Sequence, residues 1–152
     1  DDNARALVLA VLMGELGEGT EIVRTLATTS AAYLHHAFNN KTQRFHNHMS
    51  FDRRWLDPEG SEDCHGRALW ALGMAVGRSP VRSFQMMAGQ LFAQALPALI
   101  SFTSPRAWAF ALVGIHEYLR RLSGDRQAGP KADAEQASCS GHQTNPPQSS
   151  TR

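Results

Sequence analysis

No large apolar residue follows Leu122. Residues 124–152 read "GDRQAGPKADAEQASCSGHQTNPPQSSTR" and contain no Val, Ile, Leu, Met, Phe, Trp or Tyr. Such a segment cannot bury enough apolar surface to offset the entropy of ordering it. A core must therefore be built from residues 1–123. The tail, 124–152, is expected to be a disordered polar segment in which Cys139 and His142 are solvated bystanders. The first 123 residues suffice for one domain with a real core, and 42% hydrophobic with 19% charged residues fits a globular chain.

The rest of the chain reads as helices with punctuation. Asp2 or Asn3 can cap a helix running to about Met13, ended by Gly14, Gly17 and Gly19. Thr20 caps a second helix, with Glu21 near its positive dipole end and Ile22, Leu26, Tyr33 and Ala37 at helical spacing. Asn39 and Asn40 stop it. A long loop covers residues 41–60, and loops of that length inside a compact domain are usually functional or disordered. Ser61 caps a third helix with Glu62 and Asp63 in its first turn and Leu69, Leu72 and Val76 as its stripe. "RSPVRS" and "TSPRAW" each place Ser before Pro, an N-cap followed by Pro where a missing N–H costs nothing. They predict a fourth helix from about Pro80 to Pro97, and a fifth from Pro105 ending at Arg120, Arg121 and Gly124. The chain is thus expected to be all-α, built of antiparallel helical hairpins, with no strand.

Charge and cysteine count narrow the function. With 15 basic and 14 acidic residues the net charge is +1, which offers no basic stripe for nucleic acid. Cys64 and Cys139 cannot make a disulfide framework, so a reducing, cytoplasmic setting is expected. The long uncharged stretch 83–105 contains Gln85, Gln90, Gln94 and Pro97. It reads as a buried helix rather than a membrane span. The chain opens inside a helix start, which suggests a piece of a longer protein.

The stretch "HNHMSFDRRWLDPEGSEDCHGRALWALG", residues 46–73, concentrates polar groups beside an apolar helix. Carbohydrate chemistry fits it, because glycoside cleavage needs two carboxyl groups flanking one bond. Asp52, Asp57, Arg53, Arg54 and Trp55 come from the loop, and Glu62, Asp63 and His65 from the helix start. Glu62 shares a helical line with Gly66 and Leu69, so it is expected to be partly desolvated with a raised pKa, as a general acid requires. Ordinary dipole pairing at a helix start is the bland alternative, and Trp55 is either a sugar platform or a loop anchor. Trp70 and Trp108 are expected in the core, and His35 and His36 at a helix surface. Zinc could take His46, His48, Cys64 and His65, but no ligand pair has the usual spacing. No metal and no cofactor is expected. A non-catalytic helical interaction or carbohydrate-binding module is the other class of reading.

"MSFDRRWLDPEGSEDCHGRALWALG", followed by "GRSPVRS" and "FTSPRAWAFAL", with the opening "DDNARAL", resembles the six-hairpin (α/α) toroid domain of the six-hairpin glycosidase-like superfamily. Bacterial carbohydrate-active proteins of this kind are often labelled glycosyltransferases. The resemblance covers residues 1–124 and implies a glycosyl-transferring or glycoside-hydrolysing parent with a carbohydrate substrate. It also implies that an acidic cleft lies at helix N-termini. It puts Asp1, Asp2, Asn3 and Arg5 at one helix start of the mouth, and Asp52, Arg53, Arg54, Trp55, Glu62, Asp63 and His65 at the next. Glu62, Asp63 and His65 would be catalytic; Asp2, Arg5, Asp52, Arg53, Arg54 and Trp55 would bind substrate. The familiar form has Ser where this chain has Cys64. Five helices cannot close a six-hairpin ring, so the chain is expected to form a partial, incomplete toroid. An exposed apolar flank and self-association are then expected.

Overall fold

A computed structural model describes the backbone of residues 1–138 and the side chains of residues 1–121. The chain divides into two units, Asp1–Arg121 and Leu122–Arg152. The first is mostly helical: α1 is Asp2–Glu15, α2 Glu21–Ala37, α3 Glu62–Arg78 and α4 Arg82–Ala95. A 3-10 helix, Leu96–Ser101, follows α4, and α5 is Pro105–Ser138.

The pairings reveal how the helices run. α1 packs on α2, α3 on α4, and α1 on α3. Asp1 pairs with Arg67 and Glu15 with Arg78, so sequence number rises together in α1 and α3 and the two are parallel. The backbone of α3 at Gly66, Gly73 and Gly77 lies against α5 at Ala107, Gly114 and Glu117, which makes α3 and α5 parallel as well. Within hairpins the order reverses: His65 meets Ala95, and Val76 meets Gly89. The first unit is therefore a parallel row, α1–α3–α5, with α2 and α4 returning antiparallel to it.

α3 is the axis of this row and is buried through most of its length, from Cys64 to Val76. Its helix position demands small residues. A Cβ on Gly73 would run into the Gly114 carbonyl, one on Gly77 into the Glu117 carbonyl, and one on Gly114 into the Leu69 carbonyl. The core around it joins Leu7, Val11, Leu34, Leu69, Leu72, Leu91, Phe92 and Ala111. At the C-terminal end of the row, Arg78 holds both Glu117 oxygens at 2.8 Å and Glu15 at 2.9 Å, pinning all three helices.

Several sequence expectations meet corrections. A two-stranded antiparallel ribbon, Phe38–Asn39 with Arg44–Phe45, closes the start of the loop where no strand was expected. It forms because Phe45 finds a buried place against Phe38 and His65. Ser79–Pro80 starts no helix directly; Ser79 Oγ accepts from the Val81 N–H and α4 begins at Arg82. Ser61 and Thr20 do cap, each accepting an N–H three residues on. Ser104 caps α5 by accepting from the Ala107 N–H. Trp108 is not core but exposed. α5 does not stop at Gly124 but continues to Ser138. For the expected disordered tail, residues 139–152 lie outside the described residues.

Candidate functional site

One end of the row collects the N-termini of α1, α3 and α5. These ends expose unpaired N–H groups and positive dipole. The end of α2 and the 38–60 loop meet them there. A groove of about 390 Å³ opens at this end, lined by Asp1, Asp2, Asn3, Tyr33, Asn47, His48 and Met49. Burial pushes the Tyr33 phenol up, with Cys64 and Asp57 adding to it, so Tyr33 stays a neutral donor.

Asp57 and Trp55 shape the loop. The Asp57 carboxylate accepts the backbone N–H of Asn47 at 2.8 Å and of His48 at 3.0 Å. Burial works against its charge, yet these two N–H bonds hold its carboxyl below the usual range. Asp57 thereby fixes two of the residues that line the groove, Asn47 and His48. Trp55 is half-buried, stacked on His46 and edge-on to Tyr33, with His36 against it. It anchors the loop to α2 and is not among the residues that line the groove. His46 Nδ1 donates to the Asp57 backbone carbonyl at 2.8 Å.

The acids of α3 take other partners. Glu62 accepts the backbone N–H of Ser104 at 2.6 Å and of Thr103 at 2.9 Å. Those N–H bonds, Ser104 first, lower its pKa. The expected raised pKa is thus corrected: Glu62 faces the start of α5, which supplies donors, and not an apolar cleft. Asp63 accepts from Ser104 Oγ and pairs with Arg106 at 2.6 Å. His65 is fully buried, its Nε2 3.0 Å from the Ala95 carbonyl, between Phe45 and Phe102. Burial pushes its pKa down to about 4. Together Glu62 and Asp63 dock α5 onto α3, and His65 docks the end of α4.

Asp52, Arg53 and Arg54 form an exposed turn. Asp52 accepts from Ser50 and pairs with Arg54. Arg53 takes φ 61°, in the left-handed region. Arg5 pairs with Asp2 on the face of α1. The structure therefore brings Asp1, Asp2 and Asn3 to the groove, while Arg5, Asp52, Arg53, Arg54, Trp55, Glu62, Asp63 and His65 are not among its lining residues. The expected single cleft does not assemble, because α5 and the 50–54 turn absorb its acids. Tyr33, Asn47, His48 and Met49 are the groove residues that sequence reasoning missed. The alternating polar "HNH" is the signal in the sequence for Asn47 and His48. Among the described residues no group of three or more His, Cys, Asp or Glu is placed to hold a metal ion. None of the described helices is long and apolar enough to cross a membrane. No family model, curated protein or solved structure significantly matches the chain.

Proposed function

We propose that the chain belongs to a carbohydrate-active protein of the six-hairpin (α/α) toroid kind and that its groove holds sugar hydroxyls. The observation that carries this reading is the polar groove at the shared N-terminal end of the parallel row. It joins a carboxylate (Asp2), two amides (Asn3 and Asn47), a phenol (Tyr33) and an imidazole (His48). Carboxylates and amides accept and donate to neighbouring hydroxyls, and the volume lies in the range of small-ligand sites. The hairpin array supports the toroid part of the proposal. Glycosyl transfer or hydrolysis is assigned to the whole toroid, and the scarcity of cysteine suits a cytoplasmic setting.

In this reading Glu62, Asp63 and His65 position the helices that frame the groove. Their commitment to backbone and side-chain partners favours the second reading, a helical carbohydrate-binding module without catalysis of its own. Calorimetric titration with a panel of neutral mono- and oligosaccharides tests both. Asp2→Asn and Asn47→Ala are each expected to weaken binding roughly tenfold or more, the scale of a lost charged or well-placed hydrogen bond. Glu62→Gln is expected to leave affinity unchanged. Absence of any sugar binding at millimolar ligand, or binding that survives both groove substitutions, would sink the proposal.

A further inference from the structure

Among the described residues the most exposed large apolar side chain is Phe51, at 107%. It does not sit on a slack loop. Residues 49–55 form a small hairpin in which Met49 bridges Trp55. The Ser50 N–H donates to the Arg54 carbonyl at 2.8 Å, and the Arg53 N–H to the Ser50 carbonyl at 3.0 Å. Asp52 pairs with Arg54 across the turn, and Trp55 ties the base to Tyr33 and His36 near the end of α2. Phe51 is thus held out on a braced turn, so much of the ordering cost of an aromatic anchor is met before any partner arrives. Near the start of α2 lies an apolar pocket of about 460 Å³. Its walls include Val11 and Gly14 of α1, Val23 and Ala27 of α2, and Val81 and Phe84 at the start of α4. A pocket of this size accepts a small molecule or an aromatic anchor side chain.

We propose that the hairpin of one molecule inserts Phe51 into this pocket on a second copy of the chain, with Arg53 of the first beside Glu18 of the second. The charges favour this occupant. Among the described residues Glu18 is the only carboxylate with no hydrogen-bond or ion-pair partner for its side chain. It is next to Gly19, which lines the pocket. Arg53, two residues from Phe51, likewise has no side-chain partner. The protruding anchor thus carries a free base, and the pocket wall a free acid. Arg82, the first residue of α4, is also without a partner. Its repulsion of Arg53 sets which way round the hairpin enters, with Arg53 toward the α1–α2 turn. Hairpin and pocket lie at opposite ends of α2, so a molecule does not fill its own pocket. The contact is heterologous and builds rings or open chains rather than a closed dimer.

Sedimentation velocity of the 152-residue chain, at concentrations up to about 1 mM, tests this. The expected result is association that grows with concentration. Phe51→Ser removes the anchor, and Gly14→Leu fills the pocket, since a Cβ at Gly14 meets open space. Each is expected to weaken association at least tenfold and to leave the helical circular dichroism unchanged. Phe51→Ala and Gly14→Met replace either variant should its circular dichroism change. An equimolar mixture of the two variants holds one intact hairpin and one intact pocket, so it is expected to form a dimer and nothing larger. Arg53→Glu and Glu18→Lys are each expected to weaken association about two- to fivefold, the scale of an exposed pair. Combining both in one chain is expected to restore it. A wild-type chain that stays monomeric throughout overturns the proposal. Association that survives Phe51→Ser or Gly14→Leu puts the contact elsewhere and overturns it as well. So does a mixture that forms no dimer, or a double charge variant no better than the single ones.

Discussion

At the scale of single residues, the buried histidine and the carboxylates of α3 determine how the protein responds to acid. His65 has a folded pKa of about 4 against an ordinary 6.5. Its neutral form is the one the fold accepts, so its stabilising contribution is complete above pH 6.5. That contribution is lost as pH falls toward 4, amounting to about 3 kcal/mol over the interval. Urea unfolding at a series of pH values is expected to show this loss, and His65→Gln, which keeps a donor but cannot titrate, to flatten it. Glu62 has a lowered pKa for the opposite reason: N–H donors favour its charge. Its contribution is present above its unfolded pKa and lost as pH falls through the lowered folded one, a window that opens at the acid end of the His65 range and extends downward. Glu62→Gln is therefore expected to remove only the most acidic part of the profile. Neither behaviour was legible in the sequence. "SEDCH" shows an acid in a first helical turn, which suits a dipole partner and a catalytic acid equally. What decides between them is the start of α5, 41 residues downstream at Thr103, which supplies the donors.

At the scale of elements, the helices were legible wherever local chemistry set them. Thr20, Ser61 and Ser104 are caps that announce themselves, and the structure begins helices after each. Elements set by distant partners were not: the Phe38–Phe45 ribbon depends on a buried seat for Phe45 beside His65, on the far side of the loop. The contact between α3 and α5 is of this second kind. Gly73→Ala forces the two backbones apart and is expected to cost about 1–3 kcal/mol in chemical denaturation, the range for overpacking. Gly14 meets open space, so Gly14→Ala is expected to be neutral or to stabilise by up to about 1 kcal/mol. Arg78→Ala leaves Glu117, 5% exposed, without its main partner. It is expected to cost about 3 kcal/mol, as for a buried pair broken on one side.

At the scale of the whole first unit, the all-α class and the hairpin pairing followed from periodicity and short connections, whereas the direction of the row did not. Direction is set by contacts such as Gly66 with Ala107 and Gly77 with Glu117, which are far apart in sequence. The same long-range placement separated the predicted site residues. A parallel row brings helix starts together but lets each start use the nearest acid, so Glu62 and Asp63 serve α5 while Asp1 and Asp2 reach the groove. That row has an electrical consequence. Three helices lying side by side in one direction behave like bar magnets laid with like poles together, and their ends repel. Each end carries roughly half a charge. Asp2, Glu62 and Asp63 sit at the positive poles, and Arg78 sits at the negative ones. Protonating Glu62 in strong acid thus removes counter-charge at one pole and leaves Arg78 in place at the other, making the groove end the first part of the row to loosen. Hydrogen exchange at strongly acidic pH, below the ordinary range of Glu62, is expected to show the amides of Asn3, Cys64 and Ala107 opening before those near Arg78, and equal protection at the two ends would contradict it.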